Sequence, residues 1–313
     1  MRSDSLCADL QITERTGIKM EINGYTRVCG LMGDPVEHTM SPVIHNTLSE
    51  RLGKNLAYVP FHVPPGHVRE AVEGAFALNL LGMNVTVPYK SQVIPFLKEI
   101  DPLAEQIGAV NTLVRMEDGY KGYNTDMPGL YRAMCEDGVE IAGEKVLILG
   151  AGGVARAVAM LLARKSAAKI WLLNRSVDRA VAVAEEVNGI AGRDLVKAMP
   201  LADHPRLAGE EKYLAIQATN VGMFPHVEDV VIEDEAFYQK VHTGYDLIFN
   251  PSETRFMQKV RNSGGRAFGG MKMLLYQGII AYELWTGAQV EQELAAEIYG
   301  RLTETMKSHC SRE

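Results

Sequence analysis

Hydrophobic and polar positions alternate along the first half of the chain in a regular way. From Thr26 to about Thr112, short apolar runs such as NVTV (84–87) are separated by amphipathic stretches such as residues 66–78. Strands that alternate with amphipathic helices are typical of repeated βα units. The first half is therefore predicted to form an α/β domain.

A second series of apolar runs begins at Lys145 and differs from the first. The runs KVLILG, KIWLLN, YLAIQAT and GYDLIFN are nearly uninterrupted. Such strands are typical of a parallel sheet that is covered by helices on both faces. We expect a doubly wound, Rossmann-type domain here. Two helical patterns without further strands follow residue 270, so this last segment is expected to pack on a domain that is already formed.

Composition limits the classes of partner. The chain has 313 residues, more than one typical core, so two domains are expected. A net charge of −7 provides no basic excess for nucleic acid or an anionic membrane surface. No apolar run reaches the roughly 18 residues of a membrane span, and the cysteines lack metal-ligand spacing. We expect a cytoplasmic protein without a metal. The first 20 or so residues are polar and unpatterned, and no function is assigned to them.

A glycine-rich loop joins the first strand of the second series to a helix, in VLILGAGGVARAV (146–158). Gly150 permits a tight turn, Gly152 lets the backbone approach a pyrophosphate, and Ala155 is small enough for helix–strand packing. Free N–H groups at the helix N-terminus face the phosphates. The residues predicted to bind a dinucleotide here are Gly150, Ala151, Gly152, Gly153 and Val154.

The next strand, KIWLLN, ends where NAD-binding proteins place a carboxylate on the ribose 2′-hydroxyl. This chain has Asn174, Arg175 and Ser176 there, and Arg179 follows one turn later. No carboxylate repels a 2′-phosphate at this position, and two guanidinium groups are available to hold it. These four residues predict NADP(H) as the cofactor. The alternative is that both arginines merely occupy a helix start.

Four further motifs occur in a fixed order: GDPVEHTMSPVIHN (33–46), NVTVPYK (84–90), GAVNT (108–112) and NTD (124–126). Together with GAGGVAR, NRS and YDLIFNPSET they resemble the shikimate dehydrogenase family, over most of the chain. The resemblance implies an NADP-dependent oxidoreductase acting on a CH–OH group. The implied reaction is the reversible reduction of 3-dehydroshikimate to shikimate in aromatic amino-acid (chorismate) biosynthesis.

The resemblance also implies how the chain is divided. Residues 1–125 together with 271–313 would form the substrate-binding catalytic domain. An NADP-binding Rossmann domain, residues 126–270, would be inserted between them. The expected partner is the small-molecule substrate, with no nucleic acid and no membrane, and the protein is expected to be a monomer or a homodimer.

By the same resemblance, Lys90 and Asp126 form the catalytic pair. Hydride that reaches a ketone carbon creates an alkoxide, which a positioned ammonium group can stabilise and protonate. Asp126 precedes a helical stretch, where the helix dipole favours its ionised form, and it can orient the lysine and hydrogen-bond a ring hydroxyl of the substrate. Taken alone, Lys90 would be a solvated lysine and Asp126 a helix cap.

The remaining site residues are implied by the resemblance. Thr39 and Ser41 would hold the substrate carboxylate, a place where turn or cap chemistry is the ordinary alternative. The ring would be bound by Thr86, Asn111 and Gln277. Leu247 and Gly270 would contact the nicotinamide end of the cofactor.

The sequence departs from the family's pattern mainly at the carboxylate end of the expected substrate site. Thr39 stands where serine is more usual, and Phe249, also expected to contact the substrate there, where tyrosine is more usual. Phe249 cannot donate a hydrogen bond, and Thr39 adds a methyl group. Quinate carries an extra hydroxyl at C1, so a quinate or dual preference stays open as the alternative. A catalytically idle NADP-sensing protein would be expected to lack Lys90 or Asp126, and both are present.

Overall fold

The structure, a computed structural model, describes residues 21–207, 209 and 211–310. The N-terminal segment to which no function was assigned lies outside these residues. Within them the chain forms two six-stranded sheets, one in each half of the sequence. The predicted two-part α/β architecture is confirmed.

The first sheet is mixed. Its strands are β1 (Arg27–Gly33), β2 (Leu56–His62), β3 (Gly82–Val85), β4 (Glu99–Ile100), β5 (Thr112–Arg115) and β6 (Tyr120–Tyr123), in the order β2-β1-β3-β5-β6-β4. The helices in this stretch are α1 (Ser41–Arg51), α2 (Val68–Ala77) and α3 (Pro102–Ile107). β5 runs antiparallel to β3 and to β6. The βα pattern predicted for residues 26 to about 112 therefore does not continue into this end of the sheet, where a hairpin joins β5 and β6.

The second sheet is entirely parallel. Its strands are β7 (Lys145–Leu149), β8 (Lys169–Asn174), β9 (Val196–Pro200), β10 (Tyr213–Gln217), β11 (Val241–Asp246) and β12 (Arg266–Phe268). Their order is β12-β11-β10-β7-β8-β9, the doubly wound order whose direction reverses between β7 and β10. The helices are α5 (Gly153–Arg164), α6 (Val177–Ala191), α7 (Glu235–Tyr238) and α8 (Arg255–Asn262). The Rossmann-type prediction is confirmed.

The remaining α-helices of the described residues are α4 (Asp126–Glu136), α9 (Met271–Thr286) and α10 (Gln292–Cys310). α4 lies along α9, and a Cβ at Gly129 would come within 2.6 Å of the Gln277 backbone nitrogen. α9 is fixed to the first sheet by Trp285, whose indole N–H donates to the Leu113 carbonyl at 2.8 Å. α10 packs on α1 and α9, as expected for a segment that covers an existing domain. The boundaries at 125/126 and 270/271 stay predictions.

Candidate active site

A cavity of about 1150 Å³ lies where strands of both sheets end. Its wall is made by residues that follow β1, β3, β7, β8, β10 and β11, and by the first turns of α4 and α9. Ligands of open α/β sheets bind outside the carboxyl ends of the strands, at the point where the strand order reverses. The cavity is therefore the candidate active site.

Most of the residues predicted from the sequence line this cavity. They are Thr39, Ser41, Thr86, Lys90, Asn111, Asp126, Gly150, Ala151, Gly152, Val154, Asn174, Arg175, Leu247, Phe249, Gly270 and Gln277. Gly153, Ser176 and Arg179 do not line it. Contact of these three residues with a cofactor stays a prediction.

The predicted catalytic pair is in direct contact. The Lys90 Nζ atom donates to Asp126 Oδ2 at 2.6 Å. The two side chains are 31% and 18% exposed, so a ligand in the cavity can reach both. The lysine is held from behind, because the Lys90 carbonyl accepts from the Val110 N–H at 2.8 Å and the Tyr89 hydroxyl donates to the Val63 carbonyl at 2.7 Å. The backbone that carries the lysine of the ion pair is thus fixed.

Asn111 holds the residue that precedes the catalytic carboxylate. Its Oδ1 atom accepts from the Thr125 N–H at 2.7 Å, and its Nδ2 donates to Thr125 Oγ1 at 3.0 Å. Thr112 Oγ1 donates to the same Oδ1 at 3.1 Å. Asn111 is buried. Besides any contact with substrate, its amide therefore sets where α4 and Asp126 begin.

Asn84 is a site residue that sequence reasoning missed. It is buried, yet it lines the cavity. Its Oδ1 accepts from the Tyr58 hydroxyl at 2.8 Å, and its Nδ2 donates to the Asn111 carbonyl at 3.2 Å and to Thr112 Oγ1 at 3.1 Å. Buried amides need such partners. The available signal was an asparagine within an otherwise apolar, buried strand.

Thr86, Thr39 and Ser41 surround the end of β1. A Cβ at Gly33 would lie 2.3 Å from the Thr86 methyl carbon, so glycine leaves the space that this side chain fills. Thr39 Oγ1 accepts from the Ser41 N–H at 3.3 Å. The turn chemistry considered as the alternative is thus present, and both residues also line the cavity.

The end of the cavity that is predicted to hold the nicotinamide is supported by a buried polar pair, Gln217 and Asp246. Gln217 Oε1 accepts from the Thr219 N–H at 2.6 Å, and its Nε2 donates to Asp246 Oδ1 at 3.4 Å. Asp246 also accepts from the Ile248 N–H at 3.0 Å and from the Thr254 hydroxyl at 2.6 Å. Burial raises the pKa of Asp246 to about 6. The pair fixes the two segments that follow β10 and β11.

Two glycines allow close approach of backbone at this end. Gly150 has φ +112°, and a Cβ there would lie 2.8 Å from the Thr219 methyl carbon. A Cβ at Gly270 would lie 2.3 Å from the Leu247 carbonyl oxygen. Both positions therefore require glycine.

The glycine-rich loop leaves room for a ligand at the start of α5. A Cβ at Gly152 would meet no atom within 4 Å. Gly152 is the cap residue of α5, whose first N–H groups have no intrahelical acceptor. Open space beside free N–H donors fits the pyrophosphate of a dinucleotide.

Arg175 and Arg179 lie beyond this loop and are exposed. Neither has a hydrogen bond or ion pair with another described residue. The Asn174 side chain bonds to its own loop, since its Nδ2 donates to the Ser176 carbonyl at 2.9 Å. Both guanidinium groups are therefore available to an anionic ligand, and Arg175 already faces the cavity.

In the described part of the chain, no group of three His, Cys, Asp or Glu side chains is placed to hold a metal ion. None of the helices described is both long and apolar enough to span a membrane.

Three family models match the chain. "Shikimate dehydrogenase substrate binding domain" matches residues 31–113, and "Shikimate / quinate 5-dehydrogenase" matches residues 133–231. "Shikimate 5'-dehydrogenase C-terminal domain" matches residues 270–297. The matches include parts of both sheets and the whole of α9.

Individual proteins are similar over nearly their whole length. Shikimate dehydrogenase (NADP(+)) of Desulforamulus reducens is 42% identical over 271 residues, which is 85% of this chain and 92% of that protein. The structure of shikimate 5-dehydrogenase from Listeria monocytogenes in complex with shikimate and NAD has a TM-score of 0.81 and 30% identity, covering 90% of this chain and 99% of that one. The Thermus thermophilus enzyme in complex with NADP(H) and shikimate has a TM-score of 0.77 and 30% identity, covering 88% and 100%.

Proposed function

Because the chain belongs to the shikimate dehydrogenase family, we propose that it catalyses the reversible NADPH-dependent reduction of 3-dehydroshikimate to shikimate. The observation that carries this proposal is the Lys90–Asp126 ion pair, 2.6 Å long and facing the cavity. The names of the similar enzymes support shikimate as the substrate rather than quinate.

Bound NADPH supplies the hydride for this reaction. The Lys90 ammonium group stabilises the charge that develops on the substrate oxygen and donates its proton there, so that the ketone gains a hydride on carbon and a proton on oxygen. In the oxidation direction the neutral amine accepts the proton. Asp126 keeps Lys90 aimed at this oxygen through their hydrogen bond.

The rest of the cavity wall is proposed to hold the substrate ring. Thr86, Asn111 and Gln277 would bind hydroxyl groups, and Thr39 and Ser41 the carboxylate, with Phe249 beside it. Gln277 and Asp126 come together because Gly129 lets α4 and α9 approach closely. Support for these assignments is their common position around one cavity.

The cofactor is proposed to lie across the glycine-rich loop, with Arg175 and Arg179 on the 2′-phosphate. Exposed guanidinium groups without protein partners fit this task, because a phosphate accepts several charge-assisted hydrogen bonds. The reaction is a step of aromatic amino-acid (chorismate) biosynthesis. A cytoplasmic location and a monomeric or homodimeric state stay predictions.

The test is NADPH formation by the purified protein, measured with shikimate and with quinate, each with NADP+ and with NAD+. We expect the highest kcat/KM with shikimate and NADP+. No turnover of shikimate would overturn the proposal, and a higher kcat/KM with quinate would replace it by the alternative.

A further inference from the structure

Arg156 ends the GAGGVAR motif, but dinucleotide binding does not account for it. It lies in the first turn of α5, yet it does not line the cavity. Its Nη2 donates to the Gln106 carbonyl at 3.0 Å and its Nη1 to the Ile107 carbonyl. Its Nε donates to Glu186 at 2.6 Å. The side chain thus points away from the ligand site and towards the other half of the molecule.

The two carbonyls belong to the C-terminal end of α3. This helix ends at Gly108, which has φ +68° and donates its N–H to the Ala104 carbonyl. The last carbonyls of a helix have no intrahelical donor and carry partial negative charge. Arg156 supplies both the missing donors and the positive charge, so it caps α3 from the cofactor half.

The segment that follows this cap leads directly to the reacting groups. The Ala109 carbonyl accepts from Asn124 Nδ2 at 3.0 Å. The Val110 N–H donates to the Lys90 carbonyl at 2.8 Å, and the next residue is Asn111. Only Gly108 and Ala109 therefore separate Ile107, which Arg156 contacts, from Val110, which supports the backbone of the catalytic lysine.

Glu186 on α6 keeps the arginine in this orientation. Its carboxylate accepts from Nε and Nη2, and hydrogen bonding by Arg156 lowers the pKa of the Glu186 carboxyl. The guanidinium group is thereby held by one carboxylate of its own half, through two hydrogen bonds, and by two carbonyls of the other half. A planar guanidinium group with five N–H donors can make all of these hydrogen bonds at once, whereas a lysine ammonium group could make only some of them.

We propose that Arg156 is a positioning residue, which sets the separation between the dinucleotide loop and Lys90 and so aligns hydride transfer with proton transfer. The inference rests on the proposed function, since alignment matters only if a hydride donor binds at this loop. A small displacement of reacting atoms lowers the rate steeply, whereas binding of the cofactor to its own loop is little affected.

Arg164 provides a matched control on the same helix. It lies two turns further along α5, is exposed, and donates to the side chain of Gln106 rather than to the backbone. It therefore also joins α5 to α3, but away from the loop and without capping the helix.

The experiment compares Arg156→Met, Arg156→Lys and Arg164→Met with the wild type. It measures the dissociation constant of NADP+, the KM for shikimate, and kcat per cofactor-binding site, so that a misfolded fraction does not count as lost turnover. For Arg156→Met we expect kcat to fall about tenfold with the NADP+ dissociation constant within about twofold of wild type. Arg156→Lys should recover part of this loss, and Arg164→Met should stay within about twofold of the wild-type kcat.

Wild-type kcat in Arg156→Met would overturn the inference, as would an equal loss of NADP+ affinity and of kcat. The same loss in Arg164→Met would also overturn it. If Arg156→Met does not fold, Arg156→Lys decides: a lowered kcat at unchanged NADP+ affinity supports the inference, and a wild-type kcat overturns it. Absence of shikimate turnover in the wild type would instead overturn the proposed function.

Discussion

The two ends of the cavity are built in opposite ways. At the reacting end, the polar side chains are bonded to one another before any ligand arrives, through Lys90–Asp126, Asn111–Thr125 and Tyr58–Asn84. At the end assigned to the 2′-phosphate, Arg175 and Arg179 are exposed and have no bonded partner among the described residues. The first end is preorganised, and we expect the second to be completed when the cofactor binds.

This difference follows from what each end has to do. Charge that develops in a transition state is stabilised most by groups that need no rearrangement when the reaction occurs. A phosphate on a cofactor carries its charge from the start, so flexible cations can close on it as it binds. Substitutions at the first end should therefore affect turnover, and substitutions at the second should affect the choice of cofactor.

The largest expected effect is that of Lys90→Ala. Loss of the proton donor should lower kcat by roughly 100- to 10,000-fold, because general acid–base groups typically contribute this much. The NADP+ dissociation constant and the thermal unfolding midpoint should stay near the wild-type values. Steady-state kinetics, cofactor titration and thermal unfolding measure the three quantities.

Lys98→Ala is the control, since Lys98 is an exposed lysine paired with Asp118 at 3.2 Å and lies outside the cavity. It should retain the wild-type kcat. If Lys90→Ala keeps more than about a tenth of the wild-type rate, Lys90 is not the acid and the reacting end has been assigned wrongly.

The next largest effect is expected at the end of the cavity that is assigned to the 2′-phosphate. The double variant Arg175→Ala/Arg179→Ala should lose NADP+ affinity by at least about tenfold, because hydrogen bonds between charged groups contribute roughly 1.5 to 3 kcal/mol each. Its NAD+ affinity should change much less. Of the single variants, Arg175→Ala should show the larger loss, since only Arg175 lines the cavity. Arg69→Ala, an exposed arginine of the other half, controls for lost surface charge. Equal losses for both cofactors would mean that neither arginine binds the 2′-phosphate.

The contrast between the two ends also marks what the sequence could predict. Lys90 and Asp126 were predictable because each lies at the end of a recognisable element within a short motif. The buried polar pair Tyr58–Asn84 was not predictable, since these two residues are 26 positions apart and meet only through sheet pairing. Arg156 was visible in its motif, but its acceptors lie 49 and 50 residues earlier.

Strand direction shows the same limit. The uninterrupted apolar runs predicted the parallel second sheet correctly, because burial on both faces leaves a pattern in the sequence. In the first half, the antiparallel pairing of β5 and β6 leaves no such pattern, since the period of two is the same for either direction. The βα pattern of the first half therefore did not predict that β5 forms a hairpin with β6.

A smaller effect is expected at Asp246, a buried carboxylate near the end of the cavity that is assigned to the cofactor. The folded-state pKa of Asp246 is raised to about 6 by burial, from an ordinary value of 3.8. The stabilisation of the folded state by the protonated Asp246 carboxyl is therefore fully present below about pH 4, and it is lost as the pH rises through about 6. Relative to Asp246→Asn, the wild type should lose roughly 1 to 3 kcal/mol of unfolding free energy between about pH 4 and about pH 8.

Denaturant unfolding of both proteins across this pH range measures the difference, with the exposed Asp118→Asn as the control for losing one carboxylate. A constant difference between wild type and Asp246→Asn would show that the carboxyl does not titrate between these limits.

The smallest expected effect is that of Phe249→Tyr, which would add a hydrogen-bond donor where the substrate carboxylate is expected to bind. Phe249 lines the cavity without a polar group, so Phe249→Tyr should add a donor and lower the KM for shikimate by roughly three- to tenfold. Turnover should change little, because the carboxylate bears the same charge in ground and transition states. If Thr39 and Phe249 are instead adapted to a bulkier C1, tyrosine will crowd the site and the KM for quinate will rise most. Kinetics of both substrates with both proteins separate these outcomes, and unchanged KM values for both would mean that Phe249 does not touch the acid group.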